Sequence, residues 1–102
     1  MGKKKTFGQL INNAEIPVLV DFHATWCAPC HTMAPILQNI AKDFSGKVKV
    51  IKVDVDKNQN AAMQYGIRGV PTLILFNKGK IVWRQSGVVN RRELTNILHQ
   101  KL

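Results

Sequence analysis

The order of apolar and polar residues along the chain predicts four β-strands. Residues 18–22 and 72–76 are almost continuous apolar runs, a pattern typical of strands buried on both faces of a sheet. Residues 48–55 predict another strand. Residues 77–80, with the sequence Asn-Lys-Gly-Lys, indicate a hairpin turn that leads into a fourth strand at residues 81–85.

Four helices are predicted around these strands, because apolar residues recur there at three- and four-residue spacing. The helices cover residues 6–14, 27–43, 58–65 and the stretch after residue 90, with Thr6 and Asn90 as N-caps. Pro35 lies inside the second helix, and we expect it to bend that helix because it lacks a backbone N–H. The side chains predicted to face inward on the second and last helices are Met33, Ile36, Leu37, Ile40, Ala41, Leu94, Ile97 and Leu98.

This α-β-α-β-α-β-β-α order predicts an α/β fold. Strands separated by helices indicate parallel crossovers, and the closing hairpin adds an antiparallel edge strand. A chain of 102 residues has room for one domain. The expected architecture is therefore a single domain over residues 1–102, in which a central mixed β-sheet is flanked by helices in a three-layer sandwich.

The chain is strongly basic, with 15 Lys and Arg against 6 Asp and Glu and a formal net charge of +9. Only residues 3–5 form a basic run, and the few aromatic residues are not interleaved with basic ones, as a nucleic-acid stacking surface requires. We therefore expect no nucleic-acid partner. The excess charge instead favours faster encounter with acidic proteins.

The sequence shows no sign of a membrane span or an export signal. No apolar run approaches the roughly 20 residues that a transmembrane helix needs. The basic start at residues 3–5 is followed by residues 6–13, which are too polar for a signal peptide. Met1, Gly2 and Thr6 fit the short myristoylation pattern, which often matches by chance. A cytoplasmic location is the expectation.

The chemistry of the chain centres on Cys27 and Cys30, its two cysteines. Residues three apart on a helix have Cβ atoms about 5–6 Å apart, so a small adjustment brings them to the roughly 3.8 Å of a disulfide. A loop this short stabilises the fold little, by about 2 kcal/mol in the chain-entropy model. Cys27 falls at a helix start, where free N–H groups and the helix dipole favour a thiolate. We therefore predict that Cys27 attacks and that the more buried Cys30 resolves the mixed disulfide.

Three other interpretations of the cysteine pair remain open. A structural zinc site needs a second pair of ligands, and His23, His31 and His99 show no paired spacing. Cys27 to His31 also match the C-x-x-C-H haem attachment motif, which would call for an exported chain and a helical fold. The third interpretation is an inert pair of core cysteines.

Several separated motifs together give the chain its resemblance to a known family. They are Val20-Asp21-Phe22, Trp26-Cys27-Ala28-Pro29-Cys30, Met33-Ala34-Pro35, Val53-Asp54-Val55-Asp56, Tyr65 to Leu73 and Gly87. In this order they resemble the thioredoxin family from residue 18 to near the C-terminus. The resemblance implies a thioredoxin-like sandwich whose first edge strand, for lack of N-terminal length, is short or absent.

The resemblance also implies roles for individual residues. Asp21 would be a buried acid with a raised pKa that moves protons for the resolving cysteine, and Lys52 would be its neighbour. Pro71 would be in the cis form beside the cysteines, and the Val70 backbone would pair with the substrate. The remaining residues of the implied substrate surface are Trp26, Ala28, Pro29 and Gly87. Tyr65 and Arg68 are expected to be structural.

Three residues depart from the usual family pattern. Ala28 replaces the glycine that is common between the cysteines. The two residues between the cysteines tune the redox potential in the family. His31 stands where lysine is common, which makes the local charge sensitive to pH. His23 stands where an aromatic residue is common, two residues from Asp21 on the same strand face. We expect His23 either to face the site or to be an ordinary packed or surface histidine.

The expected function is reduction of protein disulfides through the Cys27–Cys30 couple. No cofactor or metal is expected, and the chain has no nucleotide-binding motif, so a partner reductase must regenerate the dithiol. We expect a monomer. The alternatives are an isomerase or oxidase on the same fold, or a binding module that uses the substrate surface without turnover. A reduction potential near −270 mV separates a reductase from the roughly −180 to −120 mV of isomerases and oxidases.

Overall fold

The chain forms a sheet with helices on both faces. The computed structural model describes residues 6–102, so the basic run at residues 3–5 and the Met1-Gly2 pattern lie outside it. The elements are α1 (Phe7–Asn12), β1 (Val18–His23), α2 (Ala28–Asp43), β2 (Lys49–Asp54), α3 (Gln59–Gln64), β3 (Thr72–Asn77), β4 (Lys80–Ser86) and α4 (Arg91–Lys101). The predicted order is confirmed. Among the described residues, no helix is both long and apolar enough to cross a membrane.

The strands lie in the order β2-β1-β3-β4. β1 runs parallel to β2, whereas β3 runs antiparallel to both β1 and β4. The expectation that every helix-separated pair of strands forms a parallel crossover is therefore wrong for the connection from β2 to β3. After α3 the chain enters β3, which lies on the side of β1 away from β2 and runs opposite to both strands. The sheet is therefore mixed because its two central strands, β1 and β3, are antiparallel.

The alternation of side chains along the strands divides the core into two layers. One face carries Leu19, Leu73 and Leu75, which pack against α2 and α4. The buried side chains of those helices include Met33, Leu37, Ile40, Leu94 and Leu98. The other face carries Phe22 and Phe76, which pack with α1, α3 and neighbouring strand residues. Since burial of one large apolar side chain contributes roughly 1.5–3 kcal/mol, the two layers together hold the sheet between its helices.

Local hydrogen bonds define the helix and strand ends that the sequence predicts. Thr6 and Gln9 form a reciprocal capping box at the start of α1. The Asn90 side chain accepts the Glu93 N–H at 2.9 Å at the start of α4. Between β3 and β4 the two turn residues, Lys78 and Gly79, both have positive φ, as a type I′ hairpin requires.

Helix α2 is continuous through Pro35. It is joined to α4 at the surface by Arg91, which donates to both carboxylate oxygens of Asp43 at 2.9 and 2.8 Å. This ion pair and the shared apolar face fix the far end of α2. The active cysteines lie at its other end.

β2 is an edge strand of the sheet. Within residues 6–102 no strand precedes β1, in agreement with the expectation that the family's first edge strand is short or absent. Lys49 and Lys52 are exposed on this edge. Charged side chains of this kind discourage the pairing of an open edge with another chain.

Candidate active site

The two cysteines form a disulfide at the start of α2. Cys27 and Cys30 are joined with their Cα atoms 5.3 Å apart. Cys27 is the N-cap of the helix, and the backbone N–H of Cys30 donates to Cys27 Sγ at 3.2 Å. Because the first N–H groups of a helix lack intrahelical acceptors, the Cys30 N–H is available to this sulfur, and a helix start stabilises negative charge placed there.

Both cysteines are largely covered by protein. Each is 4% exposed, so the expectation that Cys30 is more buried than Cys27 is wrong for the disulfide form. The pair packs with Ala24, Val55 and Val70. Cys27 Sγ lies 3.6 Å from the carbonyl oxygen of Val70, so the loop before β3 contacts this sulfur directly.

The loop before β3 and the loop after β4 meet beside the disulfide. The Val70–Pro71 peptide bond is cis, as the family resemblance implies. The Thr72 hydroxyl donates to the Gly69 carbonyl at 2.7 Å and closes this loop on itself. The backbone N–H of Gly87, which has a φ of +90°, donates to the Pro71 carbonyl at 2.9 Å. The residues that the sequence assigns to a substrate surface are thus neighbours.

A shallow groove runs next to the disulfide. It has a volume of about 140 Å³ and is lined by Trp26, Val55, Ile67, Arg68, Gly69 and Val70. Its wall on the cysteine side is the Trp26 side chain, which is 70% exposed. Ala28 and Pro29 are also exposed, in the first turn of α2. An exposed indole beside a groove and a free backbone carbonyl can receive an extended peptide segment.

Asp56 positions Trp26, and the sequence analysis assigned it no role. Trp26 Nε1 donates to Asp56 Oδ2 at 2.9 Å. The Asp56 backbone N–H in turn donates to Asp54 Oδ1 at 2.8 Å, which fixes the turn after β2. The available signal was topological: the C-terminal ends of parallel strands meet at one sheet edge, so an acid after β2 lies near the loop after β1.

Asp21 is a buried carboxyl on the sheet face that packs against α2. It is 1% exposed, and its Oδ1 has no hydrogen-bond partner in the described residues. Burial raises the pKa of this carboxyl above its ordinary value, while the positive charges of His23 and Lys52 act in the opposite direction. Asp21 therefore keeps a proton at pH values where an exposed aspartate has lost it.

Lys52 and His23 flank Asp21 from different directions. Lys52 is directly opposite Asp21 in the parallel β1–β2 register, and its side chain is exposed and forms no ion pair with Asp21. His23 follows two residues along β1, so it projects from the same face of the sheet, and it is half-buried. The structure thus places both of these residues beside the carboxyl.

His31 forms a hydrogen bond to the loop that carries Trp26. Its Nε2 lies 3.0 Å from the Thr25 carbonyl oxygen, and because a carbonyl only accepts, Nε2 carries the proton in this contact. The side chain of a helix residue points back towards the helix start, so position 31 is suited to reach this loop. The sequence analysis anticipated a charge at His31 but not this hydrogen bond.

Two of the three other interpretations of the cysteine pair were a metal site and haem attachment. Within residues 6–102 no group of three or more His, Cys, Asp or Glu side chains is arranged to hold a metal ion. The mixed α/β architecture also differs from the helical fold that the haem interpretation calls for. A cysteine pair that closes to a disulfide at a helix start is suited to accept and donate two electrons.

The sequence of this chain is similar to those of known proteins over most of its length. A family model described as Thioredoxin matches residues 1–100. The thioredoxin of Haemophilus influenzae is 42% identical over 96 residues, which cover 94% of this chain and 90% of that protein. Thioredoxin 1 of Synechococcus elongatus is 46% identical over 97 residues, covering 95% and 91%. The thioredoxin of Pseudomonas aeruginosa is 42% identical over 93 residues, covering 91% and 86%.

The similarity therefore spans nearly the full length of this chain and of its relatives. The residues matched by the family model include Cys27 and Cys30, which the fold brings together as a disulfide at the start of α2. Sequence similarity, fold and site geometry agree. The chain belongs to the thioredoxin family and is a thiol–disulfide oxidoreductase that reduces protein disulfides by dithiol–disulfide exchange.

Proposed function

We propose that Cys27 is the attacking sulfur of this reductase and Cys30 the resolving one. The observation that carries the assignment is the N-cap position of Cys27, whose Sγ accepts the Cys30 N–H at 3.2 Å. An ordinary thiol with a pKa of about 8.5 is a few per cent ionised at neutral pH, and helix N-termini lower that pKa. Cys30 lies one turn further into the helix, and within residues 6–102 its sulfur receives no such hydrogen bond.

In the proposed cycle, the Cys27 thiolate attacks a substrate disulfide and releases one substrate sulfur as a thiolate. The mixed disulfide then holds the other substrate sulfur on Cys27. Cys30 loses its proton and attacks Cys27 Sγ, which forms the Cys27–Cys30 disulfide and expels the second substrate thiolate. Two electrons pass from the dithiol to the substrate.

Asp21 is the proposed acceptor of the Cys30 proton. A buried carboxyl with a raised pKa and an unpartnered oxygen is suited to take and return a proton. Lys52, opposite Asp21 on β2, lowers the cost of the ionised form. Lys52 is in this scheme a positioning residue that acts through Asp21.

The proposed substrate surface surrounds the disulfide. The substrate backbone pairs with Val70, whose carbonyl lies 3.6 Å from Cys27 Sγ. The rest of this surface is formed by Trp26, Ala28, Pro29, Pro71 and Gly87. Its features are an exposed indole, a shallow groove and free backbone groups, which suit extended segments of many sequences better than one side chain.

The wider setting is proposed from the same chemistry. Residues 1–102 act as one monomeric domain without a bound cofactor, and a thioredoxin reductase-like protein returns electrons to the disulfide. A dithiol donor fits the reducing conditions of the cytoplasm, where it would support electron transport and redox homeostasis. The basic surface favours encounter with acidic protein partners.

The test of this function is the equilibrium reduction potential of the Cys27–Cys30 couple, measured against defined thiol–disulfide buffers. We expect a value near −270 mV together with reduction of a model protein disulfide. The matched control is the double variant Cys27→Ser, Cys30→Ser, which removes the couple and keeps the surface. A potential above about −200 mV would assign the chain to the isomerase or oxidase alternative. Retention of function in the double variant would indicate a binding module.

Removal of the Asp56 carboxylate is expected to weaken substrate binding. In Asp56→Ala the Trp26 indole loses its acceptor, and we expect the KM for a protein disulfide to rise roughly two- to tenfold, the effect of one hydrogen bond of about 0.5–1.5 kcal/mol. Steady-state kinetics measure the change. The control Asp56→Asn keeps an oxygen acceptor and should retain most of the wild-type KM. An unchanged KM in Asp56→Ala would show that Trp26 does not depend on this contact.

A further inference from the structure

Four ionisable residues of opposite charge alternate on one face of the β1–β2 pair. Asp21 is opposite Lys52, and His23 is opposite Asp54. Along each strand the same residues are two apart, so all four project from the sheet face that packs against α2. We call Asp21, His23, Lys52 and Asp54 the charge cluster.

Exposure increases from one member of the charge cluster to the next. Asp21 is buried at 1% exposure, His23 and Asp54 are half-buried, and Lys52 is exposed. Within the described residues the four side chains form no salt bridge with one another. The backbones of neighbours across the two strands are about 4.8 Å apart, and the Cα atoms of neighbours along one strand are about 6.6 Å apart. A side-chain rotation or one water molecule spans such a separation.

The burial of Asp21 creates a requirement that the proposed cycle leaves unmet. A carboxyl that takes the Cys30 proton must first have lost its own, so resolution by Cys30 depends in every turnover, the first included, on a route by which the Asp21 proton leaves. Asp21 is enclosed by protein, and its Oδ1 contacts no hydrogen-bonding group in the described residues. A second titratable group with access to solvent is therefore needed on the same sheet face.

We infer that His23 is this group: it relays protons between Asp21 and solvent. It is the neighbour along β1, it is half-buried, and an imidazole has one ring nitrogen that can accept a proton and one that can donate it. The positive charge of His23 also lowers the pKa of Asp21 more than the positive charge of Lys52 does. The inference rests on the proposed role of Asp21 and adds the route by which its proton leaves.

The other ionisable groups near His23 do not serve this purpose as well. The ammonium group of Lys52 has three hydrogen-bond donors and no site that accepts a further proton. Asp54 Oδ1 accepts the backbone N–H groups of Asp56 and Lys57, at 2.8 and 3.3 Å. On β3 the residue opposite Asp21 is Leu73, which does not ionise. Helix α2 contributes the Cys30 thiol to this sheet face in the proposed cycle, and this thiol is the source of the proton.

The proton balance of the relay closes. Cys30 S–H transfers its proton to the Asp21 carboxylate as the Cys30 sulfur attacks Cys27. The Asp21 carboxylic acid then gives the proton to a neutral nitrogen of His23. The resulting imidazolium releases it to water, so both residues return to their starting states. Reduction of the disulfide by a reductase uses the same steps in reverse, and no oxidant or cofactor beyond the established exchange is needed.

The experiment follows the two exchange steps separately with a disulfide of a coloured aryl thiol, in stopped flow from pH 5 to 9. The first thiol released reports attack by Cys27, and the second reports resolution by Cys30. In His23→Phe, which keeps an aromatic ring, we expect the first step to be unchanged. The second should slow roughly tenfold, less than the 10²–10⁴-fold of direct general acid–base catalysis. The unchanged first step also shows that the variant is folded.

Two further variants separate a relay from a simple effect of charge. In His23→Ala, added imidazole should restore the second step in proportion to its concentration. His23→Lys supplies a fixed charge without a relay and should remain slow. Full recovery in His23→Lys, or no response of His23→Ala to imidazole, would overturn the relay. The control His99→Gln removes an exposed imidazole on α4 and should change neither step.

The variant Asp21→Asn distinguishes failure of the relay from failure of the underlying function. If Asp21→Asn slows the second step and His23→Phe does not, the relay is wrong and the role of Asp21 stands. If Asp21→Asn leaves the second step at the wild-type rate, the proposed proton acceptor itself is wrong, and the relay fails with it.

Discussion

Replacement of Cys27 by serine is expected to reduce protein disulfide reduction to less than about a thousandth of the wild-type rate, the scale on which enzymes lose activity with their nucleophile. A serine hydroxyl does not ionise at neutral pH, so the hydrogen bond from the Cys30 N–H to position 27 has no thiolate to stabilise. The measurement is turnover of a model protein disulfide with a chemical dithiol or a reductase as the electron source.

The partner variant Cys30→Ser should behave differently. Its Cys27 still attacks, but no second sulfur resolves the intermediate, so a covalent adduct with the substrate accumulates to about one per chain. Mass spectrometry under non-reducing conditions measures this adduct, and Cys27→Ser is its control because it should form none. Adduct formation by Cys27→Ser and not by Cys30→Ser would reverse the two assigned roles.

The types and order of the elements were predictable because each rests on local physics. The run at 18–22 is apolar at nearly every position, and a buried strand is the element that uses such a run. Asn90 and Thr6 cap helices through contacts that span three residues. The turn at Lys78 and Gly79 needs positive φ at both positions, which its sequence suggests. None of these features depends on distant parts of the chain.

The direction of β3 was not predictable in the same way. Residues 72–76 are buried on both faces, and such a run satisfies the core whichever way it points. Leu73 and Leu75 would still face α2, and Ile74 would still face the other layer, because alternation does not depend on direction. The choice is made by the connection from β2, and its path is a property of the whole fold.

The same distinction between local features and features of the whole fold applies to the candidate site. The spacing of Cys27 and Cys30 at a strand-to-helix junction indicated a disulfide and a helix N-cap, and both are present. The contact of Trp26 with Asp56 joins residues 30 positions apart, and no periodicity encodes it. The burial of Asp21 was implied by the family resemblance. The fold adds that its Oδ1 lacks a partner.

The variant Asp21→Asn is expected to be more stable than the wild type at neutral and alkaline pH. Since burial raises the pKa of Asp21 in the folded protein, the folded state binds more protons than the unfolded state between the ordinary aspartate pKa of 3.8 and the raised value. The free energy of unfolding of the wild type therefore falls as the pH rises through that interval. Above it the ionised carboxylate remains a constant cost, which an amide does not carry.

The gain should be about 1.4 kcal/mol for each unit by which burial raises the pKa of Asp21. Guanidinium chloride unfolding of the disulfide form from pH 4 to 9 measures it. The difference between variant and wild type should be smallest at the acid end and grow with pH until it levels off. Glu15→Gln, at an exposed acid, is the control and should show no such trend. A variant that loses stability relative to the wild type as the pH rises would mean that the Asp21 carboxylate is stabilised in the fold. Such a carboxylate would be a poor acceptor for the Cys30 proton.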